Sequence, residues 1–154
     1  MIAVIDLPDE AATARLAARI AERAMPGDVV ALRGDLGAGK TAFARAFIHA
    51  RGGAEEVPSP TFTLVQVYRP GPAAIWHFDL YRLRSPEEAW ELGIEDAFRE
   101  GISLIEWPDR LGPLLPGHRL DIALDFGDRP EARRATLAGD AEWRARLGGI
   151  ATDA

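Results

Sequence analysis

The feature that most constrains this chain is the octapeptide GDLGAGKT at residues 34–41, which follows a short apolar run. It fits the pattern G-x-x-x-x-G-K-[ST] of a phosphate-binding loop, which requires a buried strand before it and a helix after it. Lys40 is the only lysine in the chain, and every other basic residue except the three histidines is an arginine. A compact ammonium reaches between phosphate oxygens from inside such a loop, whereas a planar guanidinium needs more room. The loop therefore predicts a domain that binds nucleotide phosphates.

Composition limits the classes of protein to which the chain can belong. Its 154 residues suffice for one domain, and a hydrophobic content of 47% is enough to form a core. The sequence lacks cysteine, which excludes disulfides, thiolate nucleophiles and cysteine-based metal sites. A net charge of -6 argues against a protein whose main role is to bind the phosphates of nucleic acids. An RNA-related role through a protein partner remains open.

The same features predict how the chain is organised. We expect a single domain over residues 1–148 and a frayed tail over 149–154. No apolar run approaches the roughly 20 residues that span a bilayer, and we see no signal peptide. We therefore expect a cytoplasmic protein that does not associate with membranes.

Apolar periodicity predicts the elements around the loop. An amphipathic helix is expected at residues 10–24, with Asp9 or Asp6 as its N-cap. The continuous apolar run at 29–33 predicts a strand buried on both faces, and a helix is expected at 41–50. This order of strand, loop and helix is the context that the motif requires.

Turn signals and alternation organise the rest of the chain as an α/β fold. The β-rich runs at 62–68 and 74–79 flank the turn sequence RPGP and predict an antiparallel hairpin. A helix is expected from a capping box at Ser85 to about Arg99, weakened at Gly93. A buried strand is expected at 102–105 and a half-exposed strand at 119–126, with a segment at 133–137 that pairs back against the latter. A closing helix is expected at 140–147.

The residues of the loop are the first candidates for binding a nucleotide. Backbone N–H groups from Gly37 to Thr41 would cradle phosphate, helped by the partial positive charge at the N-terminus of the next helix. Lys40 would neutralise charge on the β- and γ-phosphates, and the Thr41 hydroxyl would take one position around Mg²⁺. The candidate nucleotide-binding residues of the loop are Asp35, Leu36, Gly37, Ala38, Gly39, Lys40 and Thr41. The alternative is a glycine-rich turn that binds nothing.

A phosphate loop needs an acid to complete the metal and water site, usually at the end of a neighbouring buried strand. Asp79 ends the run AIWHFD and Glu106 ends the run ISLIE, although either could be a solvated carboxylate at a strand terminus. Because Glu106 follows the more clearly buried run, we favour it for orienting or activating the attacking water. Asp79 then suits the Mg²⁺ shell, directly or through a water, and both acids remain candidate Mg²⁺ ligands beside Thr41.

Three further residues have a chemical or structural interpretation. Thr61 stands in the proline-flanked loop SPTF, where its hydroxyl would either sense the γ-phosphate or Mg²⁺ or cap a turn. His77 lies inside an alternating apolar strand and is interpreted as a hydrogen-bonded packing residue. Trp107 directly follows Glu106, so its ring is a candidate for the rim of the site.

The motifs GDLGAGKT, SPTFTLV, HFDLYRL and IEWPDR, in this order, resemble the TsaE (YjeE) family, the small ATPases of bacterial tRNA threonylcarbamoyladenosine synthesis. The resemblance covers about residues 29–110. It implies a P-loop NTPase-like, three-layer α/β/α fold whose mixed sheet includes the predicted hairpin. It also implies ATP and Mg²⁺ as cofactors, with hydrolysis that is slow alone and faster with the TsaD–TsaB heterodimer.

The resemblance further implies specific roles and a biological reaction. Lys40 and Thr41 match the family's loop residues, Thr61 its nucleotide-sensing threonine, and Asp79 and Glu106 its functional acids. The implied reaction modifies the adenosine beside the anticodon in tRNAs that read codons beginning with A, with tRNA contacted indirectly through the complex.

Other functions are compatible with a phosphate loop alone. A P-loop kinase of a small metabolite usually carries an arginine-rich lid, which Arg82, Arg84 and Arg99 could imitate, although no lid-like segment stands out. A nucleotide-loaded adaptor would hydrolyse ATP only incidentally. A GTPase is excluded more firmly, because the guanine-reading Asn-Lys-x-Asp motif needs a second lysine.

Overall fold

The computed structural model describes residues 1–52 and 63–150, in which seven strands form one mixed sheet. The strands are β1 (Ala3–Leu7), β2 (Val29–Arg33), β3 (Val65–Tyr68), β4 (Ile75–Asp79), β5 (Ile102–Glu106), β6 (Leu120–Phe126) and β7 (Arg133–Gly139). The helices are α1 (Glu10–Arg23), α2 (Lys40–Ala50), α3 (Glu88–Glu91), α4 (Ile94–Glu100) and α5 (Ala141–Arg146), and a 3₁₀ segment covers Pro108–Leu114.

The strand order, β1-β7-β6-β2-β5-β4-β3, combines a parallel centre with antiparallel flanks. Strand β2 runs parallel to both β5 and β6, and β4 runs parallel to β5. Strands β3 and β4 form the predicted antiparallel hairpin, in which Val65 pairs with Phe78. The predicted α/β fold with a mixed sheet is therefore confirmed. The carboxyl ends of β2, β4 and β5 meet at one edge of the sheet, where open α/β sheets bind their ligands.

Hydrophobic side chains cover both faces of the central strands. In β2, Val30 and Leu32 point into a core shared with α1, α2 and α5, whereas Val29 packs on the opposite face with α3 and α4. The same alternation divides Leu104 from Ile105 in β5. Burial on both faces explains why these strands are continuous apolar runs in the sequence. The arrangement has three layers, as expected.

Capping and backbone conformation account for the start of α1 and for the break between α3 and α4. Asp9, not Asp6, is the N-cap of α1, since its Oδ1 accepts a hydrogen bond of 2.9 Å from the Ala12 N–H. Gly93, at φ +83°, separates α3 from α4 at the predicted weak point. The expected capping box at Ser85 is not formed, because Glu88 accepts from the N–H of Arg84 instead and the helix begins at Glu88.

Strand β1 has no counterpart among the sequence predictions. It pairs antiparallel with β7 at the edge of the sheet, and of its five residues only Ile5 and Leu7 are buried. Two apolar positions around the exposed Asp6 are too short an alternation to indicate a strand. Residues 3–7 form a strand because they pair with the edge of β7 that faces away from β6.

The closing helix α5 is held by a cluster of charged residues. Asp140 caps α5 by accepting from the Trp143 N–H at 3.0 Å, and its Oδ2 lies 2.5 Å from Nδ1 of His118. Asp28 lies 3.3 Å from the other ring nitrogen of His118 and 2.5 Å from Nη1 of Arg146. The cluster thus joins α5 to the segment before β2.

The predicted tail, residues 149–154, lies only partly within the described residues. Ile150 is buried in the core with Leu147, while residues 151–154 lie outside the described part of the chain. Among the described residues, no helix combines the length and the hydropathy that crossing a membrane requires.

Protonated His118 is expected to stabilise the fold. The hydrogen bond to Asp140 raises the pKa of His118, so its contribution is complete below the unfolded value of about 6.5 and is lost as pH rises through the folded pKa. The substitution His118→Gln should therefore lower the free energy of unfolding more at about pH 6 than at about pH 9, measured by urea denaturation. In an Asp140→Asn background this pH dependence should shrink. An equal loss at both pH values would contradict the assignment.

Candidate functional site

The glycine-rich loop, residues 34–41, leaves the end of β2 in a path that two glycines permit. Gly34 has φ +147°, and a Cβ there would lie 2.6 Å from the carbonyl oxygen of Leu124 in β6. Gly39, at φ +105°, takes the left-handed conformation that turns the chain into α2. The N-terminus of α2 therefore faces the space that the loop encloses. The N–H groups in the first turn of a helix favour an anion at such a position.

Lys40 begins α2 and folds its side chain back into the loop. Its Nζ donates to the carbonyl oxygens of Gly34 at 2.6 Å and Asp35 at 3.0 Å. It also lies 4.2 Å from the centroid of the Trp107 ring, a cation–π contact. Burial lowers the pKa of Lys40, and nearby carboxylates, led by Glu106, oppose this shift.

Glu106 lies at the end of β5, and its carboxylate links this strand to α2 and β4. The Thr41 hydroxyl, on α2, is 2.9 Å from Oε1 and 3.1 Å from Oε2. Nε2 of His77, on β4, is 2.7 Å from Oε2, and both side chains are buried. His77 is therefore the hydrogen-bonded packing residue that the sequence predicts, although nothing in the sequence identified its partner.

Asp79 is the neighbour of Glu106 across two parallel strands. The two residues are directly paired in the register of β4 and β5, and the side chain of Asp79 is also buried. Its Oδ1 accepts a hydrogen bond of 3.2 Å from the N–H of Tyr81. The pairing explains how two acids separated by a helical segment in the sequence reach one site.

These residues surround a cavity of about 430 Å³ at the carboxyl edge of the sheet. Its lining consists of Leu36, Gly37, Gly39, Lys40, Thr41, Ala42, Asp79, Tyr81, Arg82, Glu106 and Trp107. The structure thus brings together most of the predicted site. The side chain of Ala38 is instead buried, and the carbonyl oxygen of Asp35 accepts a hydrogen bond from Lys40. Thr61 lies outside the described residues.

Tyr81, Arg82 and Trp107 form an aromatic and cationic wall of the cavity. The rings of Tyr81 and Trp107 meet edge to face at 4.9 Å, and Trp107 has the unusual φ of +60° at the end of β5. The rim position predicted for Trp107 matches its place in this wall. The sequence predicts no role for Tyr81, and it suggests Arg82 only as part of a kinase lid. The feature of the sequence that could have identified Tyr81 and Arg82 as site residues is their position directly after Asp79 and Leu80.

The oxygen atoms around the cavity have the chemistry that Mg²⁺ requires. Thr41 supplies a hydroxyl, and Asp79 and Glu106 supply carboxylates. Within residues 1–52 and 63–150 there is no cluster of three or more His, Cys, Asp or Glu side chains able to hold a metal alone. Mg²⁺ commonly uses one or two carboxylates together with phosphate oxygens, so this donor set fits the ion.

Comparisons with known proteins agree on one family. A family model described as "Threonylcarbamoyl adenosine biosynthesis protein TsaE" matches residues 7–135. A Rickettsia felis "tRNA threonylcarbamoyladenosine biosynthesis protein TsaE" is 40% identical over 88% of this chain and 80% of that protein. A Bacillus subtilis protein of the same name is 40% identical over 76% of this chain and 72% of its own length. The crystal structure of Bacillus subtilis YdiB is similar with a TM-score of 0.76 at 29% identity, covering 99% of this chain and 97% of that one.

Replacing His77 should destabilise the protein through Glu106. His77→Leu removes a hydrogen bond to a buried carboxylate and should lower the free energy of unfolding by about 1.5–3 kcal/mol, measured by urea denaturation. Adding Glu106→Gln should recover part of this loss. The exposed His49 serves as the control, since His49→Leu should change stability by no more than about 0.5 kcal/mol. Equal effects of the two histidine substitutions would contradict the interpretation.

Proposed function

This chain belongs to the TsaE family of tRNA threonylcarbamoyladenosine biosynthesis proteins, and from that membership we propose that it is an Mg²⁺-dependent ATPase acting with the TsaD–TsaB heterodimer. One observation carries the proposal. A glycine-rich loop, its lysine and threonine, and two buried carboxylates line a single cavity of about 430 Å³. This combination supplies donors for phosphate oxygens on one side and acids for water and metal on the other.

The loop binds the phosphates of ATP in this proposal. Lys40 exchanges its carbonyl acceptors, Gly34 and Asp35, for β- and γ-phosphate oxygens. Its side chain is already buried, which limits the water that has to be removed when phosphate arrives. The N–H groups at the start of α2 add the electrostatic attraction of a helix N-terminus.

The acids divide the remaining tasks. Glu106, fixed by Thr41 and His77, orients the attacking water and accepts its proton as the γ-phosphorus–oxygen bond to ADP breaks. Asp79 and Thr41 hold Mg²⁺, directly or through water. When bound, Mg²⁺ neutralises phosphate charge.

The proposed partner follows from family membership, and the proposed location follows from composition. In this proposal hydrolysis sustains modification of the adenosine beside the anticodon in tRNAs that read codons beginning with A. The tRNA is contacted through the TsaD–TsaB heterodimer, in keeping with the acidic net charge of -6. We propose a cytoplasmic location on the basis of the cysteine-free sequence.

ATP turnover tests the proposal when it is measured with the protein alone, with the TsaD–TsaB heterodimer and with candidate small-molecule acceptors. The protein alone should hydrolyse ATP slowly, and addition of the TsaD–TsaB heterodimer should accelerate hydrolysis. Lys40→Ala should abolish both rates because the loop loses its phosphate-neutralising charge. Phosphorylation of a small acceptor molecule would instead indicate a kinase. Nucleotide binding without turnover in any of the three settings would indicate an adaptor.

Substitution of the two acids tests their separate roles. Glu106→Ala should leave the dissociation constant for ATP nearly unchanged and lower kcat by a factor of about 10² or more, because the water loses its base. Asp79→Ala should weaken the dependence of turnover on Mg²⁺ concentration. Equilibrium binding and steady-state kinetics on the same preparations distinguish the two effects. If Glu106→Ala kept full turnover while Asp79→Ala abolished it, the roles would be reversed.

A further inference from the structure

Arg133 contacts the back of the glycine-rich loop from a distant part of the chain. Its Nε donates to the carbonyl oxygen of Ala38 at 3.1 Å, and its Nη2 donates to that of Gly37 at 3.2 Å. We propose that Arg133 is a positioning residue that holds the loop in its phosphate-binding shape. This inference rests on the proposed nucleotide binding and adds a residue outside the cavity.

The guanidinium of Arg133 is itself fixed by the turn between β6 and β7. Its Nη1 donates to the carbonyl oxygens of Pro130 and Ala132, each at 2.7 Å. The guanidinium carbon also lies 4.8 Å from the centroid of the Phe126 ring at the end of β6, a cation–π contact. A planar fork held by four hydrogen bonds acts as a rigid support for the loop.

The contacts determine which way the loop's peptide groups point. A trans peptide is planar, so its C=O and N–H point in opposite directions. By holding the Ala38 carbonyl, Arg133 directs the N–H of Gly39 away from itself, and Gly39 lines the cavity. Arg133 is not among the described residues that line this cavity. Together with Gly37, Gly39 and Ala42 it lines a neighbouring cavity of about 300 Å³. The role proposed for Arg133 is exerted through its hydrogen bonds to the loop.

Loss of this support should lower the fraction of molecules whose loop is ready to bind. The apparent dissociation constant rises in inverse proportion to that fraction, so a fall to about one tenth raises it about tenfold. Both ATP and ADP place a β-phosphate in the loop, so both should be affected alike. Stability of the remaining fold should change little.

The test compares Arg133→Ala and Arg133→Lys with Arg134→Ala as the matched control. Arg134 is the next residue of β7 and makes an exposed ion pair with Asp6, without a contact to the loop among the described residues. Arg133→Ala should raise the dissociation constants for ATP and ADP about tenfold, and Arg133→Lys should raise them severalfold because charge is kept but the fork is lost. Arg134→Ala should stay within about twofold of the parent protein.

Amide hydrogen exchange without nucleotide supplies a second measurement. In Arg133→Lys the amides of Ala38 and Gly39 should exchange faster, while those of β6 and β7 keep their rates. Parent-like exchange and binding in both Arg133 variants would overturn the proposal. If Arg133→Ala failed to fold, Arg133→Lys would decide the result. If the parent protein bound no nucleotide, the proposed function would fail, and loop exchange alone would decide whether Arg133 holds the loop.

Discussion

The buried carboxylate of Glu106 is the group on which the arrangement of the site depends. A carboxylate with almost no exposed surface has to be compensated by hydrogen bonds, and here Thr41 and His77 provide them. These bonds join the end of β5 to the start of α2 and to the middle of β4. The hydrogen bonds of Glu106 therefore tie the start of α2, which follows the loop, to the edge of the sheet that carries the two acids.

The two halves of the sheet contribute differently to this site. The parallel strands β2, β4 and β5 bring the loop and the acids to one edge, since parallel strands end on the same side. Strand β6, which is parallel to β2, and strand β7, which is antiparallel to β6, support the loop through the close approach of Leu124 to Gly34 and through the hydrogen bonds of Arg133. A mixed sheet thus combines a binding edge with a rigid support.

Several expectations that rest on local sequence signals succeeded. The apolar run of β2, the hairpin turn and the cap at Asp9 depend on neighbouring residues, and the structure confirms all three. Strand β1 escaped prediction because its pairing partner, β7, is more than 120 residues away in the chain. The capping box failed because Glu88 found the N–H of Arg84 instead.

The sequence by itself determined the phosphate-binding motif, the identity of the lysine and the two acids at strand ends, because each depends on residue type and short spacing. Only the tertiary structure decided that His77 and Thr41 meet at Glu106, that Tyr81 packs against Trp107, and that Arg133 reaches the loop. Arg133 and Ala38 are 95 residues apart. Contacts of this kind depend on strand order and register, which are fixed by the packing of the whole sheet and leave no periodic signal in the chain.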